Sequence, residues 1–414
     1  MKILIFSAYY EPEKVSSLNL SIQLYENLAR KYNHYIDLIV PMPTRGVDKE
    51  IRRKYKEKKE ESKYNNHLNI HRISLFNEYP NMILRALRYI LMNFIFIIKG
   101  CSFRPDVIFI QSTPPTQGAM ACILKKLLKV PVVYNLQDIF PDSMISADLC
   151  KKENIIYKLG KVIENYTYRN VDKIITVSNS MVDNLLLKGV PLDKIEMIYN
   201  WVNKNEIVPI DRENNELFEE FKIEKNNFNI VYAGNIGYAQ NIQLIVETAE
   251  RLQEYKDICF IIFGDGKEKD KIIDYINEKQ LVNVKLYPLL EKEFISKVYS
   301  LGSASIVICK KGFGGIAMPS KFPTILSTGT PVLASFDEQT DIEELINSKS
   351  LGLFSPSNDI EELKNNIIYL YKNYDFLLKC KNNARNIAIS LFDIDNSIFK
   401  YNDILTKIVE DDKI

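Results

Sequence analysis

At 414 residues the chain is too long for one ordinary domain and suits two. Hydrophobic residues make up 46% and charged residues 26%, a globular balance, and a net charge of +1 excludes nucleic-acid binding driven by overall charge. The six cysteines are scattered without CxxC spacing, which argues against a disulfide framework or a zinc site.

The chain starts directly in a strand, with no signal-peptide pattern, so the cytoplasm is the expected location. Short apolar strands then alternate with amphipathic helices, the pattern of parallel α/β folding. In the first half the predicted strands are 3–7, 36–40, 68–74, 107–111, 132–135, 174–178 and 195–199. Two segments interrupt the pattern. KEIRRKYKEKKEESK at 49–63 is a charge run, read as a solvated loop or helix face, with a basic patch toward anionic lipid as the sharper alternative. MILRALRYILMNFIFIIK at 82–99 is too short an apolar run to span a bilayer, because Arg85 and Arg88 interrupt it. It reads as a helix packed on the first sheet, or as a monotopic helix with Arg85, Arg88 and Lys99 at head-group level. Around 203–215 the text turns polar and irregular. Alternation restarts with strands at 229–233, 258–263, 284–286, 305–309, 332–334 and 351–354. The expected division is 1–205, 206–395 and a helical tail, 396–414, that packs back on the first domain. Ligands of such sheets bind at the carboxyl ends of the strands, so two facing sheets would make a cleft.

The densest chemistry lies in KGFGGIAMPSKFPTILSTGTPVLAS, residues 311–335. A strand leads into a glycine turn (Gly312, Gly314, Gly315) and a helix predicted to open at Pro319. Free backbone N–H groups and the positive helix end favour an anion there, and Lys321 adds a full charge. YAGNIGYAQN, 232–241, is a second strand–turn–helix junction, where Gly234 and Gly237 allow close approach to a phosphate; its bland reading is a tight turn. FGDG, 263–266, and LYPLLEKE, 286–293, end the next two strands. In the first half QSTPP, 111–115, and NLQDIFPD, 135–142, end successive strands. Asp138 is the candidate functional carboxylate there, against the alternative of a cap for the following helix. Asp393-Ile-Asp395 has the shape of a metal-binding DxD, but it sits between helices and reads as a cap. No metal is expected, since no other cluster has ligand spacing.

The order of these motifs resembles the family-four retaining glycosyltransferases, closest to the WbuB-like branch that adds sugars to O-antigen or capsule precursors. The resemblance implies an α/β GT-B fold, two Rossmann-like domains with parallel sheets facing across a cleft. It implies donor contacts from Gly234, Asn235, Gly237, Gln240, Gly264, Gly266, Leu289, Gly314, Gly315, Ile316, Met318, Ser320 and Thr324. Many relatives carry Arg and Lys where this chain has Asn235 and Gln240, and a glutamate pair where it has Ile316 and Thr324. Pyrophosphate charge then falls to Lys321 and to loop amides from Gly314 to Met318. Acceptor contacts are implied at Tyr10, Ser17, Pro114 and Pro115, with Asp138 and Lys321 as catalytic residues and Gln137 where many relatives have His. Asn200-Trp-Val-Asn203 matches the family's interdomain joint. The implied reaction moves a hexose, an N-acetylated amino or deoxyamino sugar, from a UDP donor to a polyprenyl-pyrophosphate-linked saccharide, with retention. The UDP-sugar is a co-substrate and no cofactor is implied. The implied setting is cytoplasmic, peripheral on the inner face of the cytoplasmic membrane, with no nucleic-acid partner. Two alternatives stay open. One is a UDP-sugar 2-epimerase of similar fold. The other is a non-catalytic partner in a polysaccharide assembly complex, motivated by the missing glutamates and by Asn235 and Gln240.

Overall fold

The computed structural model describes residues 1–13, 15, 18–79, 81–146, 148 and 150–412. Eight strands build the first sheet: β1 Lys2–Phe6, β2 Tyr35–Pro41, β3 Glu60–Lys63, β4 Leu68–Ile73, β5 Val107–Gln111, β6 Val132–Leu136, β7 Lys173–Thr176 and β8 Ile195–Met197. Their order is β3-β4-β2-β1-β5-β6-β7-β8, parallel except for the β3–β4 pair. The second sheet has β9 Phe228–Asn235, β10 Ile258–Asp265, β11 Val284–Tyr287, β12 Ala304–Ile308, β13 Val332–Phe336 and β14 Gly352–Pro356, in the order β11-β10-β9-β12-β13-β14 and parallel throughout. That order is doubly wound, so each sheet has a switch point beside its first strand, β1/β5 and β9/β12. Central strands such as VIFIQ and VVYNL are buried at every position, which is why they read as continuous apolar runs.

The first sheet is wrapped by α1 Leu18–Arg30, α2 Lys49–Glu57, α3 Met82–Gly100, α4 Thr116–Leu128, α5 Asp142–Ser146, α6 Ile155–Asn170 and α7 Asn179–Leu187. The second carries α8 Leu217–Glu220, α9 Ile242–Arg251, α10 Lys269–Glu278, α11 Ile295–Ser300, α12 Lys321–Ser327, α13 Asp341–Lys349, α14 Ile360–Lys372 and α15 Tyr374–Leu391. One face of the first sheet packs Phe6 against Phe96, Met120 and Leu124 of α3 and α4. The other face packs Tyr25 and Phe109 against Tyr401 of the last helix, α16 Ile394–Asp411. Tyr401 also donates to Asn135 Oδ1 at 2.9 Å, fixing α16 on the first sheet. The charge run becomes α2, with no buried residue, and the edge strand β3. The helix expected from Pro319 begins at Lys321. Pro323 is then its third residue, where an amide would have no intrahelical acceptor in any case. Among the described residues no helix is long and apolar enough to cross a membrane.

The chain crosses between the sheets twice, near 202–207 and near 392–394, and the two crossings are joined. Val202 N donates to Phe392 O at 2.8 Å, Ile394 N to Val202 O at 3.2 Å, and Lys204 pairs with Asp393 at 3.0 Å. Arg385 Nη2 holds Lys204 O at 2.9 Å. Trp201 is buried here and donates to Gln23 Oε1 at 3.0 Å.

A second junction is polar. The Asp341 carboxylate, at the start of α13, accepts five hydrogen bonds from the first domain: Asn179 N and Ser180 N at 2.8 Å, Ser180 Oγ and Tyr199 OH at 2.7 Å, and Asn179 Nδ2 at 3.0 Å. Burial alone would raise its pKa; the amides of Ser180 and Asn179 and the two hydroxyls outweigh it and hold the carboxylate below its ordinary range.

Candidate active site

At the switch point of the second sheet, Gly234 is the penultimate residue of β9, with φ +146°. A Cβ there would sit 2.9 Å from Lys321 Nζ, so the absent side chain is what lets the ammonium approach the backbone. Lys321 Nζ lies 3.9 Å from the centre of the Tyr232 ring, and the Tyr232 hydroxyl donates to Asn235 O at 2.6 Å. The ring face is an electrostatic partner that leaves the charge unneutralised. No carboxylate pairs with Lys321 among the described residues, and burial alone pulls its pKa down to about 7. A largely desolvated lysine beside bare backbone, with no carboxylate partner among the described residues, is a candidate anion site.

The neighbouring turn locks against this one. Gly266 has φ +151°, and a Cβ there would collide with Ile236 O and lie 2.7 Å from Asn235 Oδ1; Gly264 packs on Ile236 and Gly234 O in the same way. Asn235 Nδ2 donates to Gln240 Oε1 at 2.9 Å across Gly237. The two amides that stand where relatives place cations therefore satisfy each other and bring no charge. Leu289 is 51% exposed beyond β11. Two residues earlier, Tyr287 stacks on Phe263 at 5.3 Å and meets Phe221 at 4.7 Å, an aromatic group the motif reading missed because Phe221 lies outside every motif.

The glycine loop after β12 differs from its expected use. Gly312 N and Gly314 N both donate to Asp337 Oδ2, at 2.7 and 2.8 Å, so the Gly314 amide is not free for an anion. Gly315 has open space where a Cβ would stand. The side chains of Ile316 and Met318 are buried in the core, so donor contact at these positions would come from their backbone groups. The loop instead leans on the first domain, where Ile139 N donates to Ile316 O at 3.3 Å and Ser146 Oγ to Gly312 O at 2.6 Å. Ser320 and Thr324 line a cavity of about 150 Å³ between the domains, facing Asn19, Gln23, Trp201 and Lys292.

At the switch point of the first sheet, a cavity of about 110 Å³ is bounded by Ser7, Tyr9, Arg45, Thr113, Gln137 and Trp201, among others. Its floor is a fixed amide chain. Gln111 Nε2 donates to Tyr25 OH at 3.0 Å, Asn135 Nδ2 to Gln111 Oε1 at 2.9 Å, and Gln137 Nε2 to Asn135 Oδ1 at 3.2 Å. Tyr9 OH meets Tyr89 OH at 2.8 Å and donates to Glu78 Oε2 at 3.2 Å, while Arg45 Nη1 donates to Tyr9 OH at 3.4 Å. Tyr10, the expected acceptor contact, is instead fully buried between Lys63 and Arg72, 5.6 and 5.9 Å from its ring centre. Its neighbour Tyr9 stands in the cavity wall. Ser17 lies outside the described residues. Pro114 and Pro115 precede α4, and it is their neighbour Thr113 that reaches the cavity.

Asp138 follows β6. Burial raises its pKa, against the lowering effect of bonds from the Ser143 hydroxyl and the Ile139 amide. Ser143 lies in α5, but its hydroxyl and not a helix amide makes the bond, so Asp138 is tied to that helix without capping an amide of it. The next residue, Ile139, is the one that touches the donor-side loop, which puts Asp138 at the seam of the two domains. Asp393 and Asp395 are taken by Lys204 and Lys31, at 3.0 and 2.8 Å. Among the described residues no group of three acidic, His or Cys side chains gathers as a metal site.

Two families divide the chain between them: Glycosyltransferase Family 4 matches residues 21–206 and Glycosyl transferases group 1 matches residues 213–387. The probable glycosyltransferase WbjE of Pseudomonas aeruginosa is 25% identical over 285 residues, 67% of this chain and 70% of that protein. The putative colanic acid biosynthesis glycosyl transferase WcaI of Escherichia coli is 26% identical over 226 residues, 54% of this chain and 55% of that protein. Sucrose-phosphate synthase from Thermosynechococcus elongatus has the same fold, with TM-score 0.77 over 98% of both chains at 14% identity. So has HepE of Anabaena, solved in complex with UDP, with TM-score 0.73 over 98% of this chain and 100% of that one at 15% identity. With one family match falling on each of the two doubly wound domains, the chain is a glycosyltransferase of group 1 with a family 4 N-terminal half, built on the GT-B fold.

Proposed function

We propose that this glycosyltransferase takes a hexose, an N-acetylated amino or deoxyamino sugar, from a UDP donor and transfers it with retention to a polyprenyl-pyrophosphate-linked saccharide, in the manner of the WbuB-like branch. The observation that carries the donor half is Lys321, whose ammonium is held against Gly234 and the Tyr232 face without a carboxylate partner among the described residues. A diphosphate would complete it. The UDP bound by the HepE structure and the colanic acid role in the name of WcaI support the donor and the polysaccharide setting.

In this reading the acceptor hydroxyl attacks the anomeric carbon on the face the diphosphate leaves. The carbon–oxygen bond to the diphosphate breaks, and the departing phosphate oxygen takes the hydroxyl proton. Lys321 stabilises the charge growing on the diphosphate. Asp138, at the domain seam, orients the acceptor, and the amide-floored cavity beside Tyr9 and Arg45 holds the saccharide. The exposed apolar side of α3 supports a peripheral position at the inner membrane surface, where a polyprenyl acceptor resides.

The test is thermal stability of the full chain against UDP-, GDP-, ADP- and dTDP-sugars. A shift with one UDP-N-acetyl sugar that disappears in Lys321→Ala is expected. No shift with any nucleotide in a folded sample would overturn the reading.

A further inference from the structure

Three helices lie side by side on one face of the first sheet, α4 between α3 and α6. Asn93 of α3 donates to Thr116 Oγ1 of α4 at 2.7 Å, and Lys125 of α4 reaches Asn170 O of α6 at 3.1 Å. Gly118 of α4 is packed so closely on Thr167 of α6 that a side chain would not fit. The inward sides of these helices form the core with Phe96, Met120 and Tyr168.

Their outward sides are apolar as well. On α3, Ile83, Leu87, Ile90, Phe94 and Ile98 recur at helical spacing and are exposed, Ile83 by 78%. On α4 the exposed pair is Ile123 and Leu127, and on α6 the stripe is Ile155, Leu159 and Val162, the last 65% exposed. Helices that meet water carry polar residues at such positions, and a patch spread over three helices marks an interaction surface. Cations outnumber acids on these helices, but most are engaged: on α3 Arg88 is buried and Arg85 and Lys99 pair with Glu78 and Glu60, on α4 Lys125 pairs with Asp172, and on α6 Lys161 pairs with the single acidic residue, Glu164. Lys126, Lys158 and Arg169 stay exposed, with no acidic partner among the described residues. Glu164 is buried and already paired with Lys161 and Lys188. An apolar face flanked by exposed Lys126, Lys158 and Arg169 suits anionic lipid. It suits a second copy poorly, because two-fold packing would set the cations of both copies against each other.

We infer that α3, α4 and α6 together form the face by which this protein lies on an anionic phospholipid bilayer. The inference rests on the peripheral placement proposed above and extends it from one helix to three. Both flanks of the face reach the candidate site. Tyr89 of α3 bonds Tyr9 in the cavity wall at 2.8 Å, and Gly160 of α6 packs against Pro141, in the loop that carries Asp138. A bilayer on this face runs beside the acceptor cavity, so a lipid tail can stay in the membrane while its polar head enters.

The experiment is co-sedimentation of the full chain with phosphatidylglycerol–phosphatidylcholine vesicles and with phosphatidylcholine alone. Sugar nucleotide is left out, so the result does not depend on the donor reading. Binding to the anionic vesicles is expected to be at least tenfold tighter, and to weaken when salt rises from about 0.1 M to about 0.5 M. The α6 double variant Leu159→Glu, Val162→Glu is expected to lose at least tenfold in vesicle affinity with its melting temperature and UDP binding unchanged. Should that variant not fold, Leu127→Glu on α4 makes the same test. Full vesicle binding in the α6 variant, with loss in Ile90→Glu, Phe94→Glu on α3, would overturn the three-helix face in favour of α3 alone. Equal binding to both vesicles would overturn the anionic assignment. Binding to neither, with a dimer in sedimentation velocity, would give the face to a second copy. Vesicle binding that persists where wild type shows no UDP binding would sink the donor reading and uphold this one.

Discussion

Raising the pH should weaken UDP binding through one side chain. Lys321 holds its ammonium between the Tyr232 ring and Gly234, and burial has brought its pKa to about 7. A diphosphate needs the charged form, so above about pH 7 each binding event must take up a proton. Every pH unit then weakens binding by up to about tenfold, or about 1.4 kcal/mol. Between about pH 7 and pH 9 the Kd should rise up to about 100-fold, moderated toward about tenfold because the residue as a whole is only partly buried. Titration calorimetry in two buffers of different ionisation enthalpy would count the proton directly: close to one taken up at about pH 9 and none at about pH 5.5. Lys321→Arg keeps its charge throughout and should give a flat profile. A wild-type Kd that does not change between those pH values, or an arginine variant with the same slope, would refute the reasoning. Stability of the ligand-free protein runs the other way. The folded pKa lies below the ordinary 10.5, so the unfolded chain holds more protons between about 7 and 10.5, and stability rises with pH across that window.

Three further outcomes test other parts of the site. Gly266→Ala forces a side chain into Ile236 O at φ +151°, and should cost about 1–3 kcal/mol and weaken UDP binding; an unchanged melting temperature would contradict the locked-turn account. Asp341→Ala removes the acceptor of five interdomain bonds and should cost about 3 kcal/mol or more in urea denaturation. Because that carboxylate titrates below its ordinary 3.8, its contribution should persist at neutral pH and disappear only as pH falls through its lowered folded value, so a loss already near about pH 6 would argue against it. Asp138→Asn should slow transfer by about 100-fold or more with UDP affinity unchanged; a matching loss of UDP affinity would move Asp138 into the donor site.

The parallel strands were legible because a strand buried on both faces must be apolar along its whole length, as VIFIQ and VVYNL are. β3 was not, because EESK is an antiparallel edge strand with polar residues on a half-exposed face, and nothing in its composition separates it from the charge run before it. Glycine turns announced where backbone would come close, and Gly234 beside Lys321 is such a place. The direction of the freed amides was not readable, since Asp337, which captures two of them, lies a strand and a helix further along the chain. Tyr9 and Tyr10 could not be told apart for a similar reason. Period-two alternation fixes side-chain direction only inside a strand, and both residues follow the end of β1. Arg45 belongs to no motif and enters the cavity wall where the loop after β2 is held to the loop after β1, the amides of Thr44 and Arg45 donating to Glu13 Oε1.

The paired crossings between the domains have a mechanical consequence. One covalent linker is a tether, free to bend and to swivel. Here the second crossing is stitched to the first by Val202, Phe392 and Ile394, and braced by Lys204 with Asp393. Two strands joined at one place behave like the knuckles of a door: turning about their common line stays soft, and twisting across it is resisted. The final helix, last in the sequence and folded on the first sheet, therefore guides how the second sheet swings. A chain cut before residue 393 would retain both sheets and both switch points yet lose the fixed line about which they meet.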